Sequence, residues 1–189
     1  MGAPGARPEI VNPLSGEHIT ILDADARGDV LVWELRLAPG GKVPSAHAHP
    51  RQEETFTIKE GRMRFRVGLR TLVARPGDTV VVPPGRSHHF ANLGPAPARV
   101  EVRTSPALAM AELLDTAAAI AREQLASGRG FPRLGVMALF MRDFEAEVAA
   151  PFAPAVVRRG ARLVAAMTAR HSPGNRYRGL RGTGGNHAV

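Results

Sequence analysis

Between Glu17 and about Thr104 the chain is a series of short apolar alternations cut by Gly and Pro. Leu31, Trp33, Leu35 and Leu37 alternate with Val32, Glu34 and Arg36, and Pro39-Gly40-Gly41 ends that run. Phe56 and Ile58 alternate with Thr55, Thr57 and Lys59 before Gly61 intervenes. Met63, Phe65 and Val67 then alternate with Arg62, Arg64 and Arg66, and Val100 and Val102 with Arg99, Glu101 and Arg103. A period of two places successive side chains on opposite faces, which marks strands that bury one face. Several short strands, each bounded by turn residues, imply a sandwich or a barrel.

After Ser105-Pro106 the period changes. Ala107 to Ala126 is rich in Ala and Leu and free of Gly and Pro, which predicts a helix ended by Gly128. Phe131-Pro132 opens a second predicted helix through about Val148, and a third runs from roughly Pro154 to Arg170. Leu113, Leu114, Ala117 and Ile120 form one stripe, and Leu134, Met137, Phe140 and Met141 another. Such stripes are packing devices. They point to helices lying on the barrel or on a second copy of the chain, so a homodimer is expected. The organisation expected is a loose segment at 1–16, a barrel at 17–105, a helical extension at 106–171 and a disordered tail at 172–189, where the chain is Gly-rich and polar.

Composition removes several function classes. With no cysteine, disulfides, thiolate metal sites and Cys nucleophiles are excluded. The first ten residues lack the apolar stretch of a signal peptide, and the longest apolar run, Leu134 to Met141, is too short to span a bilayer. A soluble, cytoplasmic protein without a membrane span is the expectation. The net charge of +8 is concentrated at the end: residues 127–189 hold ten Arg against Asp143, Glu145 and Glu147. No nucleic-acid-binding motif accompanies this charge, so it reads as a solvated face and no nucleic-acid partner is expected.

The chemistry lies in two segments. In the first, Gly41 to Gly61, His47 and His49 are two apart, so on extended chain their imidazoles share a side. Glu54 opens the alternation Glu54, Phe56, Ile58, which puts its carboxylate on the buried face; Glu53 is the weaker candidate by parity. In the second, Gly77 to Asn92, Val80 and Val82 lead into Pro83-Pro84-Gly85, and a returning strand carries His88 and Phe90 inward and His89 outward. Two buried imidazoles facing a buried carboxylate are costly unless a cation pairs with them, and a divalent metal is the natural solution.

These segments resemble both conserved motifs of the cupin superfamily. The first follows Gly, five residues, His-x-His, four residues, Glu, six residues, Gly; the second follows Gly, five residues, Pro-x-Gly, two residues, His, three residues, Asn. All ten defining positions are filled, by Gly41, His47, His49, Glu54, Gly61, Gly77, Pro83, Gly85, His88 and Asn92. The resemblance covers about residues 17–104. It implies a mainly β, double-stranded β-helix (a jelly-roll barrel), here followed by two or three helices, and a metal held by His47, His49, Glu54 and His88. Asn92 and Gly85 read as turn and strand-end residues.

Three nitrogens and one oxygen leave positions open on a five- or six-coordinate ion, as a working site requires. One divalent first-row ion is expected, Fe first and Zn, Ni or Mn as alternatives, since sequence does not select the metal. The leading expectation is a metal-dependent oxygenase acting on a small, mostly apolar molecule. The alternatives are a non-redox isomerase, cyclase or lyase, and a non-catalytic metal- or ligand-binding protein. Glu54 doubles as the candidate catalytic proton acceptor. The inward set Trp33, Leu35, Phe56, Ile58, Met63, Phe65 and Phe90 supplies core and candidate pocket wall, with Trp33, Phe56, Met63, Phe65 and Phe90 as the pocket residues.

Overall fold

The computed structural model describes residues 8–24, 29–43 and 46–150, together with residues 160, 163–167, 177 and 180. Nine strands form among them: β1 (Glu9–Asn12), β2 (Glu17–Ala24), β3 (Leu31–Leu37), β4 (Glu53–Glu60), β5 (Met63–Val67), β6 (Arg70–Ala74), β7 (Thr79–Val82), β8 (His88–Asn92) and β9 (Ala98–Ser105). Two helices follow, α1 (Met110–Ala126) and α2 (Leu134–Asp143). The strands make a six-stranded sheet in the order β1-β2-β3-β9-β4-β7 and a three-stranded sheet in the order β6-β5-β8.

The alternations become the wall between these sheets. On β3 the buried residues are Leu31, Trp33, Leu35 and Leu37, and on β9 Ala98, Val100, Val102 and Thr104. Leu35 pairs with Val100 and Trp33 with Val102, so their side chains enter the same core from neighbouring strands. From the opposite sheet come Met63, Phe65 and Phe90, all buried. Phe56, Phe65 and Phe90 meet with ring centroids 5.2–5.8 Å apart in tilted pairs, a favourable aromatic arrangement.

Turn glycines fix the ends of these strands. Gly61, between β4 and β5, has φ +86°, and a Cβ there would sit 2.8 Å from the Ala98 Cβ. Only glycine meets both conditions. Asn92 ends β8 by bonding rather than by turning: its Nδ2 contacts the carbonyls of Leu37, Ala38 and Ala96, and its Oδ1 accepts from Gly94 N.

Three expectations change. The N-terminal segment is not loose throughout, because β1 pairs antiparallel with β2 and buries Ile10. Its four residues are too short to show a period. The extension's second helix is shorter than the span from Phe131 to Val148. It starts at Leu134, after an extended Arg133, and stops at Asp143, so that Ala149 is free to pair with Ala48. Backbone pairing with a distant strand overrides local helical pattern there. Of the expected third helix, residues 160 and 163–167 are helical, and the rest lies outside the described residues. Tyr177, within the segment expected to be disordered, is buried; Leu180 is the other described residue of 172–189. No helix among the described residues is long and apolar enough to cross a membrane.

Candidate metal centre

His47, His49, Glu54 and His88 reach one region from three pieces of backbone. Glu54 sits on β4 between Val82 of β7 and Thr104 of β9, in the six-stranded sheet. His88 starts β8 in the three-stranded sheet, opposite Val67 of β5. His47 lies beside His88: each backbone N–H donates to the other's carbonyl, at 3.1 and 2.8 Å. The turn after Pro83 is tied to the same strand, since Gly85 N donates to His49 O at 2.8 Å. The two sequence segments are thereby stitched together by backbone bonds before any side chain is considered.

The imidazoles cluster. Ring centroids are 4.4 Å apart for His47 and His88, 5.0 Å for His47 and His49, and 5.2 Å for His49 and His88. One ring nitrogen from each can be chosen so that all three lie within 4.8 Å of one another, a grouping that could hold a metal ion. Glu54 Oε2 is 3.2 Å from His49 Nε2 and 3.1 Å from His88 Nε2. Glu54, His49 and His88 are buried, and His47 is half-buried.

Neither His49 Nε2 nor His88 Nε2 makes a hydrogen bond, although both are close to the carboxylate. Proximity is met and alignment is not. Buried polar atoms without partners are rare in folded proteins. Two such nitrogens converging beside a carboxylate are what a cation between them would satisfy, so the residues fit a metal ion on this structure's own geometry. Electrostatics agree. Burial works to raise the Glu54 carboxyl, but attraction to His49 and contact with both imidazoles hold it well below the usual carboxylate range. Burial works to lower His49, and the Glu54 carboxylate with the Glu147 carbonyl raises it instead.

Outer contacts set the rings. His49 Nδ1 meets the carbonyl oxygen of Glu147. A carbonyl only accepts, so this contact places the proton on Nδ1 and leaves Nε2 for the site. Trp33 Nε1 donates to Thr104 Oγ1 at 3.1 Å, next to Glu54 on the neighbouring strand. Gln52 is fully buried and its Nε2 donates to the carbonyls of Pro106 and Ala107, both at 3.0 Å.

Residues 33–103 match the sequence model of the family described as the cupin domain. The barrel is a cupin domain. A germin-like protein (subfamily 1 member 4) of Arabidopsis thaliana is 34% identical to it over 100 residues, which is 48% of this chain and 41% of that protein. The chain therefore spans less than half the length of this curated relative. An RmlC-like cupin from Shewanella frigidimarina superposes with a TM-score of 0.48 at 23% identity, over 56% of this chain and 90% of that one. A structure described as a predicted oxalate decarboxylase from Thermotoga maritima gives 0.48 at 20% identity, over 53% and 93%. The family match stops at residue 103, so the helical extension lies outside it.

Within the cupin domain the other expected site residues divide. Glu53 is exposed and His89 faces outward beside Arg66 and Arg64; partial burial and those two cations lower the His89 pKa. Phe56 packs 6.1 Å from the His88 ring, and Trp33 reaches the site through Thr104. Phe65 and Phe90 lie one step deeper, paired with each other across β5 and β8. Met63 pairs with Asn92, four positions from the Val67–His88 pair, and so packs well away from the imidazoles rather than beside them. Alternation assigns a face but not a depth along the barrel. Thr104 and Gln52, both fully buried, continue the inward parities of Val102 and Glu54 and were identifiable on that signal. The Glu147 carbonyl had none, because a backbone group 98 positions from His49 leaves no mark in sequence.

Proposed function

We propose that His47, His49, Glu54 and His88 together hold one divalent first-row metal ion, and that the chain is a metal-dependent enzyme acting on a small organic molecule. The observation that carries this reading is the pair of buried, unpartnered Nε2 atoms of His49 and His88 converging beside the Glu54 carboxylate. Three imidazoles and one carboxylate suit iron, and equally nickel, manganese or zinc. When bound, the ion would supply an open coordination position, for dioxygen chemistry if iron and for polarising a substrate oxygen otherwise.

The chain's own residues supply the rest. Glu54, held ionised by the imidazoles beside it, doubles as the proton acceptor, and the buried wall beside it keeps bulk water out. Phe56 and Val67 present apolar surface next to His88, which favours a mostly apolar substrate. An oxygenase is the leading assignment. A Lewis-acid isomerase, cyclase or lyase is the second, favoured by the polar Thr104 and Gln52 nearby. A homodimer is also proposed, supported by Phe131 and Leu134, each 85% exposed.

The test is metal loading followed by activity. Protein prepared without oxygen and reconstituted with Fe(II) should consume dioxygen when small phenolic or other apolar substrates are added, and H49A should not. Turnover with zinc or nickel and no oxygen uptake would replace the oxygenase assignment with the Lewis-acid one.

A further inference from the structure

Among the described residues the helical extension bonds to the cupin domain at the strand that carries His47 and His49, at Gln52 and, through Arg122 Nη1, at the Val11 carbonyl. Ala48 N donates to Ala149 O at 3.0 Å and Ala149 N donates to Ala48 O at 2.8 Å. Glu147 O meets His49 Nδ1. The Glu147 carboxylate, itself buried, accepts from Ala109 N at 3.1 Å at the start of the extension. There the carbonyls of Pro106 and Ala107 accept from Gln52, two residues before Glu54. Two points of the extension, around Ala109 and around Glu147, are thus tied to each other and to the segment from His47 to Glu54, at Ala48, His49 and Gln52.

Packing alone does not require this arrangement. The extension also buries Leu113, Ile120, Val136, Leu139 and Phe140, apolar burial that carries no directional requirement of its own. Most of the polar ties fall instead on two successive residues of the ligand strand, Ala48 and His49, and on Gln52. An outer partner that accepts a hydrogen bond from one ring N–H fixes the ring's orientation and raises the basicity of the other nitrogen.

We infer that the extension is a clasp on the site, with Glu147 as the positioning residue that fixes the His49 ring and directs its Nε2 inward. Its backbone carbonyl accepts a hydrogen bond from Nδ1–H, and its carboxylate anchors that carbonyl to Ala109. The inference rests on the metal reading for its purpose, but not for its geometry. The clasp lies outside the segment that matches the family, so it is a device of this chain's extension.

Two readouts on the full chain test it. Nitrogen-15 NMR of the metal-free wild type, taken up in pH until the His49 ring signals show the neutral form, should place its proton on Nδ1. Co(II) titration, followed by its visible bands, should show affinity about tenfold weaker in E147A and restored to near wild type in E147Q, whose amide oxygen still accepts from Ala109. In E147A the His49 signal should become a mixture of tautomers. If E147A does not fold, E147D, which shortens the anchor by one methylene, takes its place with the same expectation. A wild-type proton on Nε2, or a variant that keeps both tautomer and Co(II) affinity, overturns the clasp. A wild type that binds no Co(II) defeats the metal reading, and the tautomer measurement still decides the clasp.

Discussion

His88 Nε2 and Glu54 Oε2 approach to 3.1 Å from opposite sheets of the barrel. Removing either group has two separable effects. H88A and E54Q should each weaken Co(II) binding by more than the ~10–100-fold of an outer partner, because a ligand itself is lost. H88A should also destabilise the metal-free protein, by ~2–4 kcal/mol, since it strips a buried carboxylate of one of its compensating partners. E54Q, close in shape and neutral, should cost less. Denaturant unfolding beside Co(II) titration separates the two effects.

The pair also sets a pH dependence for the metal-free protein. Glu54 is lowered in the folded state, so its stabilisation is present above the unfolded value of ~4.3 and is lost as pH falls through the folded one. His49 is raised, so its stabilisation is complete below ~6.5 and is lost as pH rises through the folded value. The metal-free chain should therefore gain most from this pair between about pH 4.3 and 6.5, and E54Q should flatten the profile there. Metal affinity should run the other way above that window, rising with pH as the ion no longer competes with a proton on His49. Unfolding midpoints across pH for both proteins check the first claim, and proton release on titration checks the second.

The barrel and its ligand positions were legible because alternation and motif spacing are local. Strand β3 spans the Leu31–Leu37 run seen in sequence, and the parity that put Glu54 in and Glu53 out is the parity found. What was illegible depends on partners. The four residues of β1 acquire a fold only by pairing with β2, α2 ends early because Ala149 has a strand to join, and the depth of Met63 follows from register rather than from its own neighbours.

Register also separates pocket from core. M63L should cost under ~1.5 kcal/mol and leave Co(II) affinity at the wild-type level, being a near volume-conserving change four positions from His88. F56A should cost ~3–5 kcal/mol and weaken Co(II) binding, because it opens a cavity beneath His88. Equal effects of the two on affinity would contradict the depth assigned to Met63.

Gly61 is a motif position with a structural reason. An alanine there would face both a left-handed backbone, φ +86°, and a Cβ contact of 2.8 Å with Ala98. G61A should destabilise the chain by ~2–3 kcal/mol while leaving the spectrum of bound Co(II) unchanged, since the turn is remote from the imidazoles. A thermal melt with and without Co(II) measures both.

The most direct test of the metal centre is the metal content of the full chain, expressed with first-row metals supplied and purified without oxygen. One ion per chain is expected in the wild type, falling to a trace in H49A and H88A while both remain folded. A wild-type protein that is folded, takes up no ion and cannot be loaded with Fe(II), Co(II) or Zn(II) would contradict the account.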